Sequence, residues 1–310
     1  MRSFEGPDSG NKYLYPVLGL LMGGGVVLFY TGTDLIGFLN SGYASRDFTM
    51  LERLLTQLRV VCHYISLIFF PVPSRLNLEH DFNISSTLFD PVTTFMSLVI
   101  LLVFLCLPLY YGKSKELSFF VVLWFFVNIL TESSLLGLEI IFEHRIYLPS
   151  AMIFLLISFE TYEYIRNKNF AFVLLSIAVV AFSLLSFTRN AAWADPGYFW
   201  RDTYNKSPKH YRVCYNYGAY LSEIGNFDAA IEMTKKTLLY KPDYLEAYVN
   251  IGSFYGMKGN HLEAVRWFEK LVQMNSYAPD LYLNLSTAYW NLGMVGKSNL
   301  AYQKHLLYTR

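Results

Sequence analysis

Long apolar runs separated by short polar breaks fill residues 13–188, and a regular amphipathic pattern replaces them from 189 to 310. A membrane crossing needs roughly 20 apolar residues to span about 30 Å of hydrocarbon. Four runs come close: Leu14–Tyr30, Val92–Tyr111, Leu117–Leu130 with its apolar continuation, and Phe170–Phe187. A fifth, Tyr147–Phe159, is lengthened by the apolar residues before it and by Tyr162 and Tyr164. The Leu54–Phe70 stretch is different. Glu52, Arg53, Gln57, Arg59 and His63 fall mostly on one side, with Leu54, Leu55, Leu58, Val61, Ile65 and Ile68 on the other. That pattern predicts a helix near residues 50–71 lying at the interface, polar side to water. The expected fold is all-α: a polytopic membrane helix bundle of about five spans over 1–188, then a helical solenoid.

Orientation follows from Lys and Arg in short loops. Gly112-Lys113-Ser114-Lys115 and Arg166-Asn167-Lys168-Asn169 are compact and basic. Placing both in the cytoplasm lets the Val92, Leu117, Tyr147 and Phe170 runs alternate. The Pro71–Pro91 segment, the stretch around Glu132–Arg145 and everything after Phe187 then lie on the far side, while Arg2 and Lys12 are cytoplasmic.

The tail repeats itself at a lag of 34 residues. Asn216, Asn250 and Asn284 recur at that spacing, as do Gly225, Gly259 and Gly293, and the small residues Ala230, Ala264 and Ser298. Gly218 and Gly252 continue to Ser286. Phe268 and Tyr302 keep the lag, with Thr234 and Trp200 at the same position one and two periods earlier, and Pro208 and Pro242 follow it too. Each unit reads as two antiparallel helices. Gly218 and Gly252 admit close packing of the second helix, and Gly225, Gly259 and Gly293 end the first in a left-handed backbone. Ala230 and Ala264 keep the contact tight, with Trp200, Phe268 and Tyr302 as the packing aromatics. The pattern resembles the tetratricopeptide repeat. It gives a junction and half-repeat over 189–210, the half-repeat acting as the N-terminal cap, and repeats over 211–244, 245–278 and 279–310. Such arrays imply a protein or peptide partner.

Composition agrees with a membrane-embedded half: 54% of residues are hydrophobic, 18% aromatic and only 16% charged. A net charge of +1 gives no footprint for nucleic acid or a polybasic surface. Cys62, Cys106 and Cys214 are odd in number and widely spaced, which predicts buried free thiols rather than disulfides or a zinc site.

Two far-side segments carry polar residues that lipid-facing helices do not need. One runs Pro71-Val72-Pro73-Ser74-Arg75-Leu76-Asn77-Leu78-Glu79-His80-Asp81-Phe82. The other is Glu143-His144-Arg145-Ile146-Tyr147-Leu148-Pro149-Ser150. Arginine pairs with phosphate and histidine or glutamate can orient it, so these are candidates for binding a phosphorylated carrier. The plainer reading makes Glu143 and Arg145 an interfacial ion pair, with Tyr147 in the aromatic belt. Glu79-His80-Asp81 as a metal cluster is the weakest option, since adjacent side chains seldom converge on one ion. No phosphate-binding glycine loop, nucleophile elbow, HExxH or dinucleotide fingerprint occurs. No cofactor is evident, and the residues leave a divalent metal open.

Arg46-Asp47-Phe48 with Glu52-Arg53-Leu54-Leu55-Thr56-Gln57, Phe69-Phe70-Pro71 and Glu79-His80-Asp81-Phe82 resemble bacterial membrane proteins with C-terminal tetratricopeptide repeats. Phe142-Glu143-His144-Arg145-Ile146-Tyr147-Leu148-Pro149-Ser150 is similar to a signature these share with the eukaryotic transmembrane-and-repeat O-mannosyltransferases. Asn190-Ala191-Ala192-Trp193, Trp200-Arg201-Asp202 and Lys206-Ser207-Pro208 match their junction. The resemblance implies a GT-C enzyme moving a sugar, often mannose, from a polyprenyl-phosphate carrier to protein. Arg75, His80, Asp81, Glu143, His144, Arg145 and Tyr147 would then line the carrier-phosphate side, with the repeats presenting the acceptor. The expected catalytic acid of a first external loop has no counterpart before Leu14. The chain therefore reads as a C-terminal portion: a fragment, a truncated gene product or the partner of a separately encoded N-terminal half. The alternative is a non-catalytic, membrane-anchored scaffold in the cell envelope. Either reading places it in the bacterial inner membrane with the repeats in the periplasm.

Overall fold

The computed structural model describes residues 35–44, 46–106, 108, 115–130, 133–274 and 280–308. The predicted run Leu14–Tyr30, residues 112–114 of the first basic loop, and Pro279 lie outside them. Every helix and strand assignment among the described residues is helical.

Helix α1 spans Leu35–Ser41 and α2 spans Met50–Phe69. Thr49 and Glu52 close a reciprocal capping box that starts α2. Two residues of the polar side of α2, Arg53 and Gln57, face inward rather than to water. Arg53, Thr56 and Gln57 are buried beside Val60, Val61 and Tyr64. The reason lies in the irregular segment 134–140, whose carbonyls have no regular partner and need donors. Arg53 is 0% exposed. Its Nε donates to Leu138 O at 3.0 Å and its Nη1 to Ser134 O. Gln57 Nε2 donates to Ile140 O at 2.7 Å.

Helices α3 (Thr93–Cys106), α4 (Lys115–Leu130) and α5 (Tyr147–Tyr164) complete this half. Its core gathers Val60, Tyr64, Ile68, Leu101, Phe125 and Ile153. α6 runs unbroken over 27 residues from Lys168 to Ala194, about 40 Å at 1.5 Å per residue. It is long and apolar enough to cross a membrane, with a window of mean hydropathy 2.6 of which 6% is buried. Among the described residues it is the one helix that meets this measure. α3 and α4 are shorter, at 14 and 16 residues, and α5 carries Glu160 and Glu163. The five-span bundle is thus not reproduced.

Asp195 alone separates α6 from α7, Pro196–Lys206, and caps it by accepting from the amides of Gly197 and Tyr198. Six helices follow: α8 Tyr211–Glu223, α9 Phe227–Tyr240, α10 Leu245–Met257, α11 His261–Gln273, α12 Leu281–Asn291 and α13 Val295–Tyr308. They pair as the 34-residue lag requires. Gly225, Gly259 and Gly293 turn between helices at φ +78°, +85° and +71°. A Cβ on Gly252 would stand 2.5 Å from the Phe268 ring, and one on Gly218 would strike Thr234 Oγ1. Ala230 and Ala264 are fully buried.

Two packing positions differ from expectation. Trp200 is half-buried; the buried residues of α7 are Phe199 and Thr203, one turn apart, and the Trp200 ring centre lies 5.0 Å from that of Phe199. Tyr302 is 47% exposed, whereas Phe268 is 2%. Ser286 stands where glycine admits the ring in the second repeat, and its hydroxyl bonds Ser298 at 3.0 Å instead.

Candidate functional site

The seven loop residues do not converge. A 3-10 turn over Glu143–Ile146 aims Glu143 at His80, with Nε2 to Oε1 at 2.9 Å, and the Asn77 amide donates to the same oxygen at 2.5 Å. The Glu143–Arg145 ion pair is not formed. Arg145 donates to Glu139 O at 2.8 Å and lies 5.0 Å over the Phe142 ring, on which His144 also stacks. Arg75 serves the end of α2, reaching Ser66 Oγ at 2.5 Å and Phe70 O at 3.3 Å. Tyr147 is 84% exposed and the Asp81 residue is exposed, its amide donating to Ser207 Oγ. Glu79 faces His210 and Arg212 while His80 turns to Glu143, and no metal-ligating cluster forms among the described residues.

A larger cluster joins the first half of the chain to the array. Glu139 accepts from Arg46 and from Arg212 Nη2, the latter at 2.5 Å. Glu79 faces Arg212 at 3.8 Å and His210 Nε2 at 3.6 Å. Asp47 pairs with Lys241 at 3.1 Å. Lys206 donates to Pro73 O and Leu76 O at 2.8 and 3.0 Å, while Ser207 Oγ donates to Glu79 O at 2.7 Å. Arg46, Asp47, Glu79, Glu139, His210, Arg212 and Lys241 line a cavity of about 290 Å³.

Burial raises the Glu139 pKa, yet the hydrogen bonds and charges of Arg212 and Arg46 outweigh it and hold the carboxyl below its usual range. Burial also pulls the Arg212 pKa down, and the Glu139 contact more than reverses this. Burial leads in raising Glu79. The chemistry is that of a clamp, with oppositely charged groups satisfying one another across segments far apart in sequence. Periodicity carries no trace of it. Arg46 and Glu79 sit in the loop motifs, but Glu139 is 93 residues from Arg46 and 73 from Arg212.

His210 makes the clamp acid-sensitive. Burial first, then the Arg212 charge, lowers its pKa from 6.5 to about 4. The unfolded chain therefore takes up this proton first, and stability is lost as pH falls from 6.5 towards 4, by up to about 3 kcal/mol. Denaturant midpoints at pH 7 and pH 4.5 are expected to differ less in His210→Gln than in the parent. An unchanged difference sinks the assignment.

On the array, Asn216, Asn250 and Asn284 occupy one position in the first helix of each repeat, and all are half-exposed. Tyr215 packs on Tyr244 with ring centres 5.2 Å apart, as does Tyr211. Sequence comparison bears on this part of the chain. Residues 245–277 match a tetratricopeptide repeat. That stretch is the α10–α11 pair. The tetratricopeptide match lies apart from every loop residue that carries the sugar-transfer resemblance. No curated protein matches the chain. Two solved structures of MamA are similar in part. One shares 24% identity over 35% of this chain and 63% of its own length, with a TM-score of 0.33. The other shares 18% over 49% and 89%, with a TM-score of 0.34. The chain thus spans less than two thirds of the first.

Proposed function

We propose that the chain is a membrane-anchored scaffold whose repeat array holds an extended segment of another protein. The observation that carries this is the row Asn216, Asn250 and Asn284, half-exposed at equal spacing on the first helices of three stacked repeats. A side-chain amide both donates and accepts, which suits the alternating N–H and C=O groups of a peptide backbone. The α6 helix supplies the anchor. Arg166 and Lys168 at its start favour a cytoplasmic origin, which supports a periplasmic array on a bacterial inner membrane. The scaffold is preferred to transfer from a polyprenyl-phosphate sugar because His80 and Glu143 bond each other and Arg75 bonds the end of α2.

Panning a random peptide library on the detergent-solubilised chain tests the reading. Bound peptides are expected to weaken at least about tenfold in Asn250→Ala/Asn284→Ala, two lost hydrogen bonds at about 1 kcal/mol each. Binders indifferent to both substitutions remove the asparagine row from consideration.

A further inference from the structure

Much of the array's charge is internally paired: Asp228 with Lys258, Glu232 with Lys236, Glu263 with Arg266. Lys235, Lys270, Lys297 and Lys304 have no carboxylate within ion-pair distance among the described residues, and each ammonium sits over an aromatic ring instead. Lys235 Nζ lies 5.7 Å and Lys270 Nζ 5.3 Å from the centre of Trp267, so two cations share one indole. Lys235 is also 5.4 Å from the Tyr255 ring and donates to its hydroxyl at 3.0 Å, and Lys270 is 5.3 Å from Tyr248. Lys304 lies 5.5 Å from Tyr282 and Lys297 5.4 Å from Tyr289.

A ring face attracts a cation but leaves its charge uncompensated. Two ammonium groups at one indole still repel each other, and a nearby carboxylate relieves that. The rings also hold the long lysine stems, so less side-chain freedom is lost when a partner arrives. Lys270 and Lys304 are one repeat apart, and Lys235 precedes Lys270 by one repeat plus one residue. A single small anion uses one such position, whereas a chain with recurring carboxylates uses them all. These lysines stand on the second helices, α9, α11 and α13, while the asparagine row stands on the first.

We infer that this lysine–aromatic strip, centred on Trp267, is a second docking surface that takes a carboxylate-rich protein segment. It uses none of the asparagine row, so either surface can fail without the other.

The test uses the full chain in nanodiscs of zwitterionic lipid and a fluorescent oligoglutamate peptide, read by anisotropy at low salt. Binding is expected to saturate, to weaken with added salt, and to fall at least about tenfold in Lys235→Gln/Lys270→Gln. Arg201→Gln, which removes an exposed charge of the same sign from α7, is expected to leave the affinity within about twofold. Equal affinity of the double variant and parent overturns the inference, as does an equal loss in Arg201→Gln. So does absence of peptide binding, whether or not the lysines bind phosphatidylserine vesicles; vesicle binding alone makes the strip a membrane contact.

Discussion

Gly252→Val is expected to cost about 3 kcal/mol or more and to open the array from its middle repeat. The new Cβ would stand 2.5 Å from Cε1 of Phe268 and 2.8 Å from two further ring carbons. That ring is 2% exposed and its helix neighbour Ala264 is fully buried, so it has no free direction in which to turn. Overpacking of a close-packed interior costs typically 1–3 kcal/mol, and a branched side chain here meets a rigid ring rather than a flexible tail. Repeat arrays are held by neighbour contacts, so a damaged second repeat loosens the first and the third. The measurement is thermal unfolding of the full chain in detergent. Phe268→Leu in the Gly252→Val background is expected to return part of the loss, because the two changes share one contact. A variant that melts with the parent shows that the helices of this pair do not touch here.

Arg53→Ala is expected to be comparably severe, about 4 kcal/mol. The substitution removes the donors to Leu138 O and Ser134 O, and an unmade hydrogen bond at a buried carbonyl costs about 1–3 kcal/mol. It also empties the volume of a side chain that is wholly enclosed. Arg53→Lys is expected to recover little, since a single ammonium cannot serve two carbonyls spread across a guanidinium fork. Hydrogen exchange over residues 133–142 reads the effect directly, with faster exchange in both variants. Parent-like protection in Arg53→Ala would falsify the role given to the buried guanidinium.

The array was largely legible because each of its structural devices recurs at the same lag. A left-handed turn needs glycine at 225, 259 and 293, and close helix packing needs small residues at 218, 252, 230 and 264. Legibility failed where a neighbour took over the position. Phe199 enters the core in place of Trp200, and Ser286 turns a ring site into a hydroxyl pair that leaves Tyr302 outside. It failed more broadly in α2, where amphipathicity was a sound guide to a helix but not to what its polar side faces. A polar side can face water or a loop that lacks hydrogen-bond partners, and hydropathy is the same in both cases. The clamp of Arg46, Glu139, Glu79 and Arg212 was out of reach for another reason. Its members meet only after the chain has folded back over 73 and 93 residues, and spacing along a sequence carries no record of such meetings.

The junction between α6 and α7 has a mechanical meaning. One residue, Asp195, separates the two helices, and Arg189 spans the corner to Asp202 at 3.4 Å while Trp193 rests on Phe199 with ring centres 4.5 Å apart. There is no slack in that elbow. The array is therefore mounted on α6 as a lever on its shaft, and a change of tilt in the long helix reaches the far repeat enlarged by the length of the arm.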